Sequence, residues 1–236
     1  MPMKVLITRA EPSASQTAKT LARHGHEAVV LPLFEVVDTD QQIPEKNWHG
    51  VIFTSRNAVE MLQKRNWKTD FANTPAYCVG EKTENAARML GFEKTVRANG
   101  GGAELARTMG DINLSGRHML YTSTPDKSFD MAKALEAQGV HVETIDIYQS
   151  KALSPSREDM EQAVDVLSGG HVFVYSALSS NHLAKILKKH HLESRMGHLT
   201  LIGISQKAVE PLQHIDWKSI FVSKTPMEED MISLIK

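Results

Sequence analysis

The sequence predicts an α/β protein with parallel sheets arranged in two lobes. Three observations predict it: short apolar runs alternate with helical patterns along the chain, four segments repeat in order, and two long extended stretches fall at equivalent places in the repeat. Strands alternating with helices argue for parallel sheets with right-handed crossovers, because consecutive parallel strands need a long connection that packs back on the sheet.

The strands come first. Val5-Leu6-Ile7, Ala28 to Leu31, Val51-Ile52-Phe53, Tyr77-Cys78-Val79, Met119-Leu120-Tyr121, Val172 to Tyr175, Leu199 to Ile202 and Ile220-Phe221-Val222 are short and mostly rich in β-branched or aromatic residues. Between them, 3.6-residue patterns predict helices over Ser15 to His24, Ala58 to Arg65, Thr83 to Leu90, Glu104 to Met109, Phe129 to Gln138 and Asn181 to His190.

The repeat aligns Val5-Leu6-Ile7-Thr8 with Met119-Leu120-Tyr121-Thr122, Ala18 to Leu21 with Ala132 to Leu135, and Gly25 with Gly139. Val51 to Ser55 aligns with Val172 to Ser176, and Val79-Gly80 with Ile202-Gly203. Its period is too long for a solenoid, so the copies make two lobes. The extended stretches, Val30 to Asp38 and Thr144 to Leu153, are candidate crossings between lobes. If the chain crosses there, the lobes are not simply its first and second halves.

Composition sets the boundaries. The 236 residues suffice for two domains of roughly 100–120 residues. A net charge of -1 gives no global field for nucleic acid or a membrane surface. The one cysteine, Cys78, cannot form an internal disulfide and sits in a buried-strand pattern. The start, Met1-Pro2-Met3-Lys4, enters a strand at once without a charged leader, and no apolar run nears the about 20 residues of a membrane helix. The expectation is a cytoplasmic protein.

In open parallel sheets, ligands bind beyond the carboxyl ends of the strands, where helix N-termini present free N–H groups. Hydroxyls, glycines and bases gather at those ends: Thr8-Arg9, Thr54-Ser55-Arg56-Asn57, Gly80-Glu81-Lys82-Thr83, Thr122-Ser123-Thr124, Ser176 to Ser179, Gly203 to Gln206 and Ser223-Lys224-Thr225. Each Ser or Thr is also an ordinary N-cap candidate, and a cap can contact a ligand as well. No phosphate loop, dinucleotide fingerprint, nucleophile elbow or metal-site spacing is present, and the glycine run Asn99 to Gly102 reads as a flexible turn. The expected chemistry is free of metal and cofactor.

These segments together resemble the uroporphyrinogen-III synthase family. The carrying residues are Val5 to Arg9, Ile52 to Ser55 with Ala58-Val59, Val79-Gly80 with Thr83, Gly102 to Leu105, Val142 to Tyr148 with Gln149, Ser176, and Gly203 with Ala208. The match spans nearly the whole chain, and order and spacing rather than any single motif carry it.

The resemblance implies two flavodoxin-like lobes joined by a two-stranded linker, with the substrate in the cleft between them. Lobe 1 would comprise residues 1–35 and 154–236, lobe 2 residues 40–148, and the linker strands about 35–39 and 149–153. It also implies a reaction. Hydroxymethylbilane, a linear tetrapyrrole polycarboxylate, loses water to an azafulvene, closes through a spiro intermediate and yields uroporphyrinogen III with its last ring inverted. Tyr148 matches the family's tyrosine of proposed catalytic role. Thr8, Arg9, Ser55, Arg56, Lys82, Thr83, Ser123, Ser176, Ser179 and Ser205 are the candidates for carboxylate binding. The family often places consecutive hydroxyl residues after the second-lobe glycine. Here Ser205 is followed by Gln206. A monomer is expected, with transient contact to the hydroxymethylbilane synthase that makes the unstable substrate.

Overall fold

The structure is a computed structural model that describes residues 2–236. Two compact units divide it: unit 1 is Met1–Glu35 with Lys151–Lys236, and unit 2 is Val36–Ser150.

Unit 1 is built on β1 (Lys4–Ile7), β2 (Glu27–Val30), β10 (His171–Val174), β11 (Thr200–Gly203) and β12 (Ser219–Val222), hydrogen-bonded in the order β12-β11-β10-β1-β2. Unit 2 is built on β4 (Gly50–Phe53), β5 (Ala76–Val79), β6 (Thr95–Ala98), β7 (His118–Ser123) and β8 (His141–Asp146), in the order β6-β5-β4-β7-β8. All the paired strands in both sheets are parallel. The two chain crossings, β3 (Phe34–Asp38) and β9 (Tyr148–Ala152), pair with each other as a two-stranded sheet.

Helices cover both faces of each sheet, which explains why central strands read as continuous apolar runs. In unit 1, alternation along β1 sends Leu6 toward α6 (Arg157–Leu167) and α7 (Ala177–His190), while Val5 and Ile7 face α1 (Ser13–Arg23) and α9 (Glu228–Ile232). In unit 2, Val51 and Phe53 face α2 (Arg56–Lys64) and α3 (Glu81–Leu90). Ile52 faces α4 (Gly102–Gly110) and α5 (Met131–Glu136). The remaining short helix, α8 (Gln206–Val209), adds Ala208 and Val209 to the first core of unit 1.

The duplication is visible in the strand register. Val5 pairs with His171 and Leu6 with Val172 in unit 1; Met119 pairs with Gly50 and Leu120 with Val51 in unit 2. The same two sequence alignments therefore meet in the same register twice. Each sheet takes two strands from one copy and three from the other, so both have the same order with the copies exchanged. The copies diverge by insertion: α6 lies between β9 and β10, where the first copy passes from β3 to β4 without a helix.

One expected alignment moves. Val172 pairs with Leu201, and Val51 with Ala76, so Ala76 corresponds to Leu201 and Gly80 to Ser205 rather than to Gly203. The two glycines exist for different reasons. Gly80 has φ 75 with open space around its Cα, a left-handed conformation glycine tolerates. A Cβ on Gly203 would stand 2.3 Å from Val209 Cγ1. Several expected boundaries also move: the helix expected from Phe129 starts at Met131, behind the Asp130 cap, and the edge strand β6 and helix α6 were not expected at all.

Candidate active site

In a doubly wound sheet the natural crevice lies where successive connections depart in opposite directions. In unit 2 that point is the gap beyond β4 and β7; in unit 1 it is the gap beyond β10 and β1.

The unit 2 crevice is lined with hydroxyls. Thr54, just after β4, hydrogen-bonds through Oγ1 with the Tyr121 hydroxyl of β7 at 3.1 Å. Ser55 is extended (φ -148, ψ 143) and its side chain accepts from the Asn57 N–H at 3.2 Å, capping α2. That helix has no acidic residue in its first turn, leaving its positive end unopposed for an anion. Tyr148, only 5% exposed, packs in the core with Val51, Phe53 and Leu120. Its phenol is a hydrogen-bond partner of the Ser55 side chain and feels the Tyr121 and Asp146 groups nearby. Burial, the largest effect, pushes the Tyr148 phenol above the usual tyrosine range, against the Ser55 hydrogen bond that lowers it. The group is therefore a proton-bearing donor at neutral pH. Lys127 Nζ holds the Asp146 carboxylate at 3.0 and 3.2 Å.

The unit 1 crevice is built around charge. Arg9 lies 4.2 Å above the Tyr175 ring and donates to Glu228 at 3.2 Å. The same Glu228 oxygen accepts from Thr17 at 2.5 Å and from the Tyr175 hydroxyl at 2.8 Å. Burial and then the Glu228 charge raise the Tyr175 phenol far above its ordinary value. Beside this network, Ser176 (φ -159, ψ 153) caps α7 by accepting from the Ser179 N–H at 3.2 Å. The Ser176 and Ser179 hydroxyls stand 3.0 Å apart, and α7 also has no acid in its first turn.

The expected site residues thus divide into two groups. Ser55, Arg56, Lys82, Thr83, Ser123 and Tyr148 belong to unit 2; Thr8, Arg9, Ser176, Ser179 and Ser205 belong to unit 1. Ser55, Ser176 and Ser179 stand at helix N-termini. Arg56 pairs with Glu60 at 3.0 Å. Lys82 is exposed on α3, whose first turn carries Glu81 and Glu84. Thr8, Thr83 and Ser123 are buried, and Ser123 Oγ donates to the Thr124 carbonyl at 3.4 Å. Ser205 caps α8 by accepting from the Ala208 N–H at 3.3 Å, and the side chain of Gln206 is exposed. Arg9 is not a free surface cation, because Glu228 already neutralises it.

Sequence reasoning missed Tyr121, Tyr175, Thr17 and Glu228. A signal existed for two of them: Tyr121 aligns with Ile7 and Tyr175 with Thr54, so both are places where one copy carries a phenol that the other lacks. Cys78 is buried as expected, its thiol pushed up to about 12 mainly by burial, so it is no nucleophile. Among the described residues no group of three or more His, Cys, Asp or Glu side chains is placed to hold a metal ion. Among them, too, no helix is long and apolar enough to cross a membrane.

Fold and rims together define a duplicated, doubly wound α/β protein with a polar crevice at the switch point of each sheet. The family model for uroporphyrinogen-III synthase HemD matches residues 15–233. The fold is similar to that of uroporphyrinogen-III synthetase from Helicobacter pylori, with a TM-score of 0.64 at 18% identity over 99% of this chain and 98% of that one. It is also similar to a mutant uroporphyrinogen III synthase from Thermus thermophilus, with a TM-score of 0.52 at 13% identity over 98% and 96% of the two chains. A Methanocaldococcus jannaschii protein, provisionally named a uroporphyrinogen-III synthase, is 25% identical over 174 residues, 70% of each chain. The chain belongs to the uroporphyrinogen-III synthase family and is an enzyme of the cyclising-lyase class.

Proposed function

We propose that this enzyme closes hydroxymethylbilane to uroporphyrinogen III, with loss of water and inversion of the last pyrrole ring. Family membership supports the cyclisation. The observation that carries the chemical reading is the buried, protonated Tyr148 phenol at the unit 2 switch point, beside Ser55 and Tyr121.

The phenol passes its proton to the departing hydroxyl, water leaves with the electron pair of its C–O bond, and the pyrrole N–H returns a proton to the phenolate as the ring electrons form the azafulvene. The resulting azafulvene is attacked by the substituted carbon of the last ring. The spiro intermediate then fragments and recloses with that ring turned over. Uncatalysed closure yields the uninverted isomer, so catalysis consists of holding one attack geometry, which is positioning work. It needs no strong nucleophile.

The substrate carboxylates fall to groups that donate without carrying a compensating acid. The α2 and α7 N-termini, with Ser55, Ser176 and Ser179, fit this role best, since neither helix has an acid in its first turn. Arg56, Lys82 and Ser205 are secondary donors. Thr8, Thr83 and Ser123 are buried and Arg9 is paired with Glu228, so they contribute less. The enzyme works in the cytoplasm as a monomer and takes its unstable substrate from hydroxymethylbilane synthase by transient contact.

The test is product identity. The protein is mixed with freshly generated hydroxymethylbilane and the uroporphyrinogen isomers are separated after oxidation. Isomer III in excess is the expected result, and isomer I alone would overturn the reading.

A further inference from the structure

Arg65 lies away from the strand-end rims and has an unusual set of partners. It follows the last residue of α2, and its side chain is 16% exposed. Its guanidinium grips the Asp38 carboxylate through Nε at 2.9 Å and through a second nitrogen, forming a two-point fork. The same second nitrogen donates to the Ile147 carbonyl at 3.0 Å, and the third donates to the Gln41 carbonyl at 2.6 Å. These bonds reach the residue just before Tyr148 and the segment beside it.

The peptide unit that Arg65 holds at Ile147 leads directly into Tyr148. The preceding residue is held too: the Thr39 hydroxyl donates to the Asp146 carbonyl, and the Thr39 N–H donates to the Ile147 carbonyl at 3.4 Å. From the other side, the Ile147 N–H donates to the Ser123 carbonyl at 3.0 Å. Planar guanidinium geometry makes this fixation directional, because the fork sets the plane in which the remaining contacts can lie. A lysine could supply the charge but not the fork.

We infer that Arg65 is a positioning residue for the reaction: through Asp38 and the Ile147 carbonyl it fixes the backbone from which the Tyr148 phenol is presented. The inference rests on the catalytic reading of Tyr148. It adds the prediction that Arg65 influences turnover only through that phenol.

A double-mutant cycle separates the possibilities, because two groups that act as one unit show non-additive losses. Arg65→Ala is expected to lower kcat by about tenfold to 100-fold with KM little changed, the loss that follows from a displaced catalytic group. In a Tyr148→Phe background the same substitution should have almost no further effect on kcat. Arg65→Lys should recover part of the loss, and millimolar guanidinium should partly rescue Arg65→Ala. Far-UV dichroism checks that each variant is folded. If Arg65→Ala does not fold, Arg65→Lys carries the cycle in its place.

Full additivity, an unchanged kcat or a loss confined to KM would overturn the inference while leaving Tyr148 in its role. Full turnover in Tyr148→Phe itself would instead remove the catalytic reading, and the positioning role with it.

Discussion

The two crevices occupy the same place in two copies of one sheet, yet they are finished differently. In unit 1 the crevice carries an internal ion pair: Arg9 and Glu228, locked by Thr17 and Tyr175. In unit 2 the same space holds neutral hydroxyls from Thr54, Ser55, Tyr121 and Tyr148. The linker strands differ in the same sense. Leu153 donates to Leu33 as Thr39 donates to Ile147, which makes Phe34 the counterpart of Tyr148. Phe34 has no hydroxyl, and its ring sits 5.1 Å from that of His182. Duplication supplied two equal frames, and the phenol of Tyr148 stands in one. In the other crevice Arg9, Thr17, Tyr175 and Glu228 satisfy one another.

The largest effect should come from the residue that breaks this asymmetry most directly. Tyr148→Phe is expected to reduce kcat by about 10²–10⁴-fold, the range for losing a positioned proton donor, with the fold intact by dichroism. The reciprocal Phe34→Tyr should leave kcat unchanged. A gain or loss there equal to that of Tyr148→Phe would mean the copies are chemically equivalent after all.

Next comes the ion pair. Glu228→Ala leaves Arg9, Thr17 and Tyr175 without their shared acceptor, and should cost about 2–3 kcal/mol of unfolding free energy in urea titrations. Turnover of the folded fraction should persist. A collapse of kcat with unchanged stability would place unit 1's network in the chemistry.

Smaller still, Ser176→Ala removes the α7 cap and should cost about 1 kcal/mol of stability. It should also raise KM more than it lowers kcat, as expected for a carboxylate contact. An unchanged KM would leave Ser176 with capping alone.

The last prediction concerns pH. His171 stands where unit 2 has Gly50, at which a Cβ would meet Met119 Cε at 2.6 Å and Tyr77 Cε2 at 2.7 Å. His171 is buried with Nδ1 unpartnered, and burial, then His26 and Lys218, lower its pKa. The unfolded chain therefore takes up the proton first. Stability should be full above about pH 6.5 and fall as the pH drops below it. Urea midpoints at neutral and mildly acid pH should diverge in the parent and converge in His171→Gln. Parallel curves for the two would assign the acid sensitivity elsewhere.

Much of this was legible in the sequence. Central strands such as Val51 to Phe53 and Val172 to Val174 are buried on both faces, so their apolar runs stand out. The Ser55 and Ser176 caps could be read because an N-cap needs only a local residue type. Edge strand β6 escaped because most of its pattern, Thr95-Val96-Arg97-Ala98, is at least partly exposed and carries a charge. Arg65 and Glu228 escaped for a different reason. Glu228 lies 219 residues from Arg9, and Arg65 27 residues from Asp38. An ion pair across such separations leaves no period or motif behind. The Gly80 and Gly203 alignment failed because one glycine answers to backbone conformation and the other to a neighbour's methyl group.

The exchanged strands also impose a timetable. Residues 36–150 form one uninterrupted stretch whose sheet can close as soon as it leaves the ribosome. The first two strands emerge earlier, but β1 must wait for β10, which follows the whole of unit 2. The edge of β1 that will meet β10 therefore stays unpaired while unit 2 is made, at a stage when an open strand edge invites the wrong neighbour. For this molecule, a strand made before all of unit 2 completes its sheet only after unit 2 has been made.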